Sequence, residues 1–182
     1  MVPRRPGSAV TTAALLAAVF GVTAVTTLPM AGQGPKGSAV TASTPHLSVQ
    51  ATLSNAETAP GSKISITFDV TPKARMHVYA PGGQYRVVTV KLDPQPLLKV
   101  HELVYPKAQT YFFEPLNERA LVYSEPFQLV QDLTVGETAE QQAKLRGSRL
   151  KLKGVLDYQA CDDKFCYLPT TVPFEWSLKI TR

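Results

Sequence analysis

Cysteine is scarce in this chain: its 182 residues contain two, Cys161 and Cys166. Histidine is nearly as scarce, with His46, His77 and His101 scattered and none in paired spacing. Such a set does not compose a tetrahedral zinc site, which draws four ligands from short paired motifs. No metal and no cofactor is expected. The chain also lacks a Lys/Arg cluster with interleaved aromatics, so nucleic-acid binding has no support. No second long apolar run follows the N-terminal one, and the body is expected to be soluble.

The N-terminus begins Met1-Val-Pro-Arg4-Arg5, and no residue from Pro6 to Pro35 is charged. A basic start, an apolar middle densest at Ala13–Phe20 and small residues afterwards describe a secretory signal, with cleavage after Ala24 or Ala31. The run is also long enough to cross a bilayer as an uncleaved anchor, although five threonines between Thr11 and Thr27 dilute it. A membrane partner is therefore expected only if this segment stays in place. Both readings export the rest of the chain, to the periplasm or another extracytoplasmic site. The expected organisation is a signal or anchor over 1–31, a small, polar, flexible linker over 32–45, and one domain over 46–182. Without the first segment the net charge falls from +5 to +3, since Arg4 and Arg5 leave with it and no acid does.

Periodicity in the body is two. Leu47, Val49, Ala51 and Leu53 alternate with polar residues, as do Ile64, Ile66, Phe68 and Val70. Leu150, Leu152, Leu156 and Tyr158 share one face, with Gly154 between them; Val172, Phe174, Trp176, Leu178 and Ile180 share another. This pattern marks half-buried antiparallel strands. Further strands are expected near 75–80, 86–92, 98–104 and 119–131, punctuated by Pro60-Gly61, Pro81-Gly82-Gly83 and Asp93-Pro94. Gly136–Gly147 reads as a connection with at most a helical turn. The class is all-β, an immunoglobulin-like antiparallel β-sandwich. Its cysteine spacing excludes the inter-sheet disulfide of true immunoglobulin domains, whose cysteines lie dozens of residues apart.

The two cysteines fall where one strand ends and the next begins, in an exported chain where thiols pair by default. A loop this short removes only about 2 kcal/mol of unfolded-state entropy, against about 4.7 for 100 residues. That makes a weak staple and a well-placed exchangeable dithiol. Asp162 and Asp163 disfavour a thiolate beside them and Lys164 partly offsets this, so the reduced pair would tend to give electrons away. Tyr158, Phe165 and Tyr167 supply rings that could shield the pair. From the residues alone, a redox dithiol and a non-catalytic partner-binding sandwich with a structural disulfide both stand.

Tyr158-Gln-Ala-Cys161, then Cys166-Tyr-Leu-Pro169 and Thr171-Val-Pro173, resembles the active-site signature of the N-terminal periplasmic domain of the thiol:disulfide interchange protein DsbD. Met76-His-Val-Tyr79-Ala-Pro-Gly82 resembles the same family. The departures are four residues between the cysteines instead of five, Ala160 for a glycine and Leu168 for a proline. The resemblance implies an immunoglobulin-like sandwich whose dithiol relays electrons, of the kind linked to cytochrome c maturation. It implies that Cys166 forms the mixed disulfide, that Cys161 resolves it, and that an aromatic cap loop covers the oxidised pair. The candidate cap is Tyr111-Phe112-Phe113-Glu114-Pro115. The chain ends at Arg182, so the expected partners, thioredoxin-fold proteins or a membrane thiol transporter, would act in trans.

Overall fold

The computed structural model describes residues 37–114 and 117–182. The N-terminal segment read as a signal or anchor lies outside the described residues, as does the start of the linker. Among the described residues are thirteen strands and one α-helix. They are β1 (Ala39–Ser43), β2 (Leu47–Leu53), β3 (Glu57–Thr58), β4 (Lys63–Pro72), β5 (His77–Tyr79), β6 (Thr89–Leu92) and β7 (Leu98–Val104). Then come β8 (Gln109–Phe113), β9 (Glu118–Tyr123), β10 (Phe127–Val135), α1 (Ala139–Leu145), β11 (Arg149–Tyr158), β12 (Ala160–Cys161) and β13 (Thr170–Ile180).

Two sheets make the sandwich. One has the order β1-β2-β4-β10-β7, the other β3-β13-β11-β6; all pairs are antiparallel except the short β3 against β13. Inward residues of both sheets form one core, with Leu53, Ile66, Phe68, Leu129, Leu156 and Leu178 almost fully buried. This is the antiparallel, immunoglobulin-like sandwich expected from the alternation. Trp176 spans it: from β13 its indole N–H donates to the Ala51 carbonyl on β2 at 3.2 Å, and its ring stands edge-on to Phe68 at 6.0 Å. Gly154 is required where β11 passes β6. A Cβ there would sit 2.6 Å from a Leu92 methyl and 2.8 Å from the Lys91 carbonyl oxygen.

The structure departs from the sequence reading in four places. The stretch read as linker contains β1, an edge strand that pairs with β2 and lays Val40 and Ala42 against the core. The single strand expected over 119–131 is two, β9 and β10, broken by the Ser124-Glu125-Pro126 turn, where proline removes a ladder donor. The connection after Gly136 holds a true helix, α1. Its Thr138 cap accepts from the Gln141 N–H while the Gln141 side chain accepts from the Thr138 N–H, a reciprocal capping box. Of the segment read as a cap loop, Tyr111, Phe112 and Phe113 belong to strand β8, which pairs with β9 from Gln109↔Val122 to Phe113↔Glu118, and Pro115 lies outside the described residues.

β8 and β9 belong to a third sheet, β12-β5-β9-β8, where the cysteines lie. The main core does not use the disulfide. Its reduction should cost on the order of 2 kcal/mol, whereas Trp176→Ala, which empties a buried position, should cost about 3–5 kcal/mol. Urea melts of the oxidised protein, the reduced protein and Trp176→Ala check this order; a reduced protein without an unfolding transition contradicts it.

Candidate redox site

β11 and β13 form a long hairpin whose last register pair is Tyr158↔Thr170. Beyond it the chain leaves the sandwich. Ala160 and Cys161 pair with Val78 and His77 of β5, and a tight loop returns through Cys166. Cys161 and Cys166 are joined as a disulfide.

Local hydrogen bonds shape this loop. The Asp162 N–H donates to the Phe165 carbonyl, and the Tyr167 N–H to the Ala160 carbonyl, each at 2.9 Å. Asp162 organises the turn: one carboxylate oxygen accepts from the Lys164 and Phe165 N–H groups at 2.7 and 2.8 Å, the other from the Tyr167 hydroxyl at 2.8 Å. A short acidic side chain that bonds backbone two and three residues on is a natural turn-former. The Phe165 and Lys164 amides, then the Tyr167 hydroxyl, hold the Asp162 carboxyl below its ordinary range. Asp162 thus shapes the turn, a role distinct from the thiolate-disfavouring charge expected of it.

The two sulfurs differ in access. Cys161 is 2% exposed, while Cys166 lies on the surface. Phe165 (67% exposed) and Leu168 (86% exposed) lie one and two residues from Cys166 along the chain. On the inner side the Tyr79 hydroxyl lies 3.3 Å from Cys161 Sγ and 3.5 Å from Cys166 Sγ. Neither sulfur of a disulfide carries a hydrogen, so the hydroxyl donates. Tyr79 stacks on Tyr85 at 4.2 Å, and the Tyr85 hydroxyl donates to Glu118 at 2.5 Å. That hydrogen bond pushes the Tyr85 pKa up to about 12. Burial, then the Glu118 charge, raises Tyr79 as well. Both phenols stay protonated over the working range, and Tyr79 remains a donor.

A cavity of about 190 Å³ opens beside the disulfide, with His77, Tyr79, Tyr111, Phe113 and Glu118 among its walls. Asp162, Lys164 and Phe165 close it from the cysteine loop. Of the three expected cap residues, Tyr111 and Phe113 face this cavity, and the Tyr111 hydroxyl donates to Asp163 at 3.1 Å. Phe112 does not line it; the Arg119 guanidinium covers its ring at 4.9 Å. Tyr158 belongs to the main core, fully buried, with its hydroxyl 2.7 Å from the Thr44 hydroxyl. Tyr167 packs between that core and the loop, its ring 4.4 Å from His46.

His77, Tyr79, Tyr85 and Glu118 are absent from the site expected from sequence. A signal for the first two exists: they alternate on one face of the strand expected at 75–80, two polar aromatics where a purely apolar face would otherwise pack. Glu118 and Tyr85 lie 33 residues apart, and nothing local joins them.

Asp162 generates a pH dependence. Its folded pKa is depressed, so its stabilisation is present above the unfolded value near 3.9 and is lost as pH falls through the folded value. Oxidised Asp162→Ala should melt at lower urea than wild type at pH 6, and the gap should close below about pH 3.9. A gap that persists unchanged to pH 2.5 contradicts this.

Among curated proteins none matches the chain. Among the solved structures that resemble it are the following two. The N-terminal periplasmic domain of ScsB from Proteus mirabilis does so at 14% identity and a TM-score of 0.47, over 76% of this chain. The Neisseria meningitidis DsbD N-terminal domain in the reduced form does so at 21% identity and 0.43, over 66% of this chain and 81% of its own. The chain spans about half the length of the Proteus structure, 49%. The family model described as thiol:disulfide interchange protein DsbD, N-terminal, matches residues 46–177, and the chain belongs to that family.

Proposed function

We propose that this domain is an exported thiol–disulfide relay that passes electrons through the Cys161/Cys166 dithiol to partner proteins. The observation that carries this reading is the asymmetry of the pair: Cys166 is exposed and Cys161 is buried. Exchange needs one sulfur that a partner can reach and a second that can resolve the mixed disulfide. In this reading the Cys166 thiolate attacks a partner disulfide and one partner sulfur leaves with the electron pair. Cys161 then attacks Cys166, the intrachain disulfide closes, and the second partner sulfur leaves. The partner is reduced by two electrons and the pair is oxidised.

The other site residues take supporting roles. Asp162 shapes the turn, Asp163 holds Tyr111, and Tyr111 with Phe113 walls the inner side of the pair. Phe165 gives an apolar rim beside Cys166. The partners that fit are thioredoxin-fold proteins or a membrane thiol transporter, outside the reducing cytosol. Among the described residues no helix is long and apolar enough to cross a membrane.

Two variants test the roles. Cys161→Ala should trap a mixed disulfide with a thioredoxin-fold partner through Cys166, and Cys166→Ala should abolish exchange. Non-reducing gels and mass spectrometry of the trapped peptide read this out. A trapped complex with Cys166→Ala and none with Cys161→Ala reverses the assignment. In the fully reduced protein, iodoacetamide should label Cys166 well before Cys161; equal rates contradict the asymmetry.

A further inference from the structure

We propose that His77 is the proton acceptor for Cys161, the side chain that frees this buried thiol to close the disulfide. The proposal rests on the relay reading above. His77 lies directly opposite Cys161 in the β5–β12 pairing. Directly opposed residues project to the same face with Cβ atoms about 4.5–5.5 Å apart. Both side chains line the cavity, and both are buried, at 4% and 2% exposure. A cavity of about 190 Å³ leaves room for a water between imidazole and sulfur. Proton transfer within hydrogen-bond reach or through one water meets the geometric need of a general base.

A resolving thiol this deep has little bulk water to take its proton, and the thiolate is the nucleophile. The groups facing His77 come from four elements. Tyr79 stands edge-on at 5.6 Å from the same strand, and Tyr111 of β8 packs at 4.5 Å. Asp162, Asp163 and Lys164 approach from the cysteine loop, and Glu118 of β9 faces the cavity, with Tyr85 stacked behind Tyr79. Imidazole is the one side chain among these whose ordinary pKa lies near neutrality. Burial lowers the His77 pKa below 6.5 against the opposing pull of Asp163 and Asp162, which leaves the ring neutral and basic at pH 7.

The step balances. With Cys166 Sγ bound to a partner sulfur, the Cys161 thiol gives its proton to the imidazole. The Cys161 thiolate attacks Cys166 Sγ, the intrachain S–S bond forms, the bond to the partner breaks, and the electron pair leaves on the partner sulfur. The imidazolium then returns its proton to solvent through the cavity mouth or to the departing thiolate.

Stopped-flow reaction of the reduced full chain with stoichiometric 5,5′-dithiobis(2-nitrobenzoate) separates the steps. The first thionitrobenzoate marks attack by Cys166, the second marks closure by Cys161. In wild type the second phase should rise to a plateau with a midpoint below pH 6.5. His77→Gln, and His77→Tyr, which keeps a ring against Tyr111, should slow the second phase at pH 7 by at least about tenfold and leave the first unchanged. An unchanged second phase, or equal slowing of both, overturns the proposal. If neither variant folds, the wild-type profile decides: no inflection below pH 6.5 overturns it. The relay reading fails separately, by absence of exchange between Cys166 and any protein partner, whichever way the second phase runs.

Discussion

Ala160 and Cys161 lie opposite Val78 and His77, and this two-residue antiparallel pairing carries the cysteine loop off the sandwich and onto the third sheet. Cys161 is buried because β5 and β9 cover it, and Tyr79 reaches both sulfurs because it sits two residues after His77 on the same face. The ring stack Tyr79–Tyr85 and the Glu118 acceptor behind it follow from the same placement. Asp162 then fixes how the loop returns, so that Cys166 emerges at the surface beside its buried partner.

The sandwich and the redox loop are energetically separable. The main core is built by alternating faces of β2, β4, β10, β11 and β13, tied across by Trp176, and none of these residues touches the disulfide in its packing cluster. Cys161 clusters instead with Tyr79 and Val122, packed by Tyr85, Tyr111 and Ala120. A relay needs a fold that survives both redox states. A short-loop disulfide outside the main core meets that need, because its opening removes little chain entropy restraint and no core contact.

Much of this was legible in the chain. Strict alternation over 47–53, 64–70, 150–158 and 172–180 fixes which faces are buried, since a one-residue slip would turn every apolar side chain outward. The cysteine pair stood out by scarcity and position. The third sheet was not legible: β5 and β12 are three and two residues long, and their pairing spans more than 80 positions, so no local pattern announces it. Phe112 shows the same limit. Its neighbours Tyr111 and Phe113 face the cavity, and pleating turns Phe112 to the opposite face, under Arg119. β1 was hidden because small residues and threonine read equally as linker and as edge strand.

The reduction potential of the Cys161–Cys166 pair tests the central claim most directly. Equilibration against graded dithiol–disulfide buffers, with the fold followed by circular dichroism, reads potential and integrity together. A relay predicts a midpoint between about −180 and −270 mV, the range of exchange-active dithiols, with the sandwich folded at both ends. A midpoint below about −300 mV, the range of structural disulfides, contradicts it.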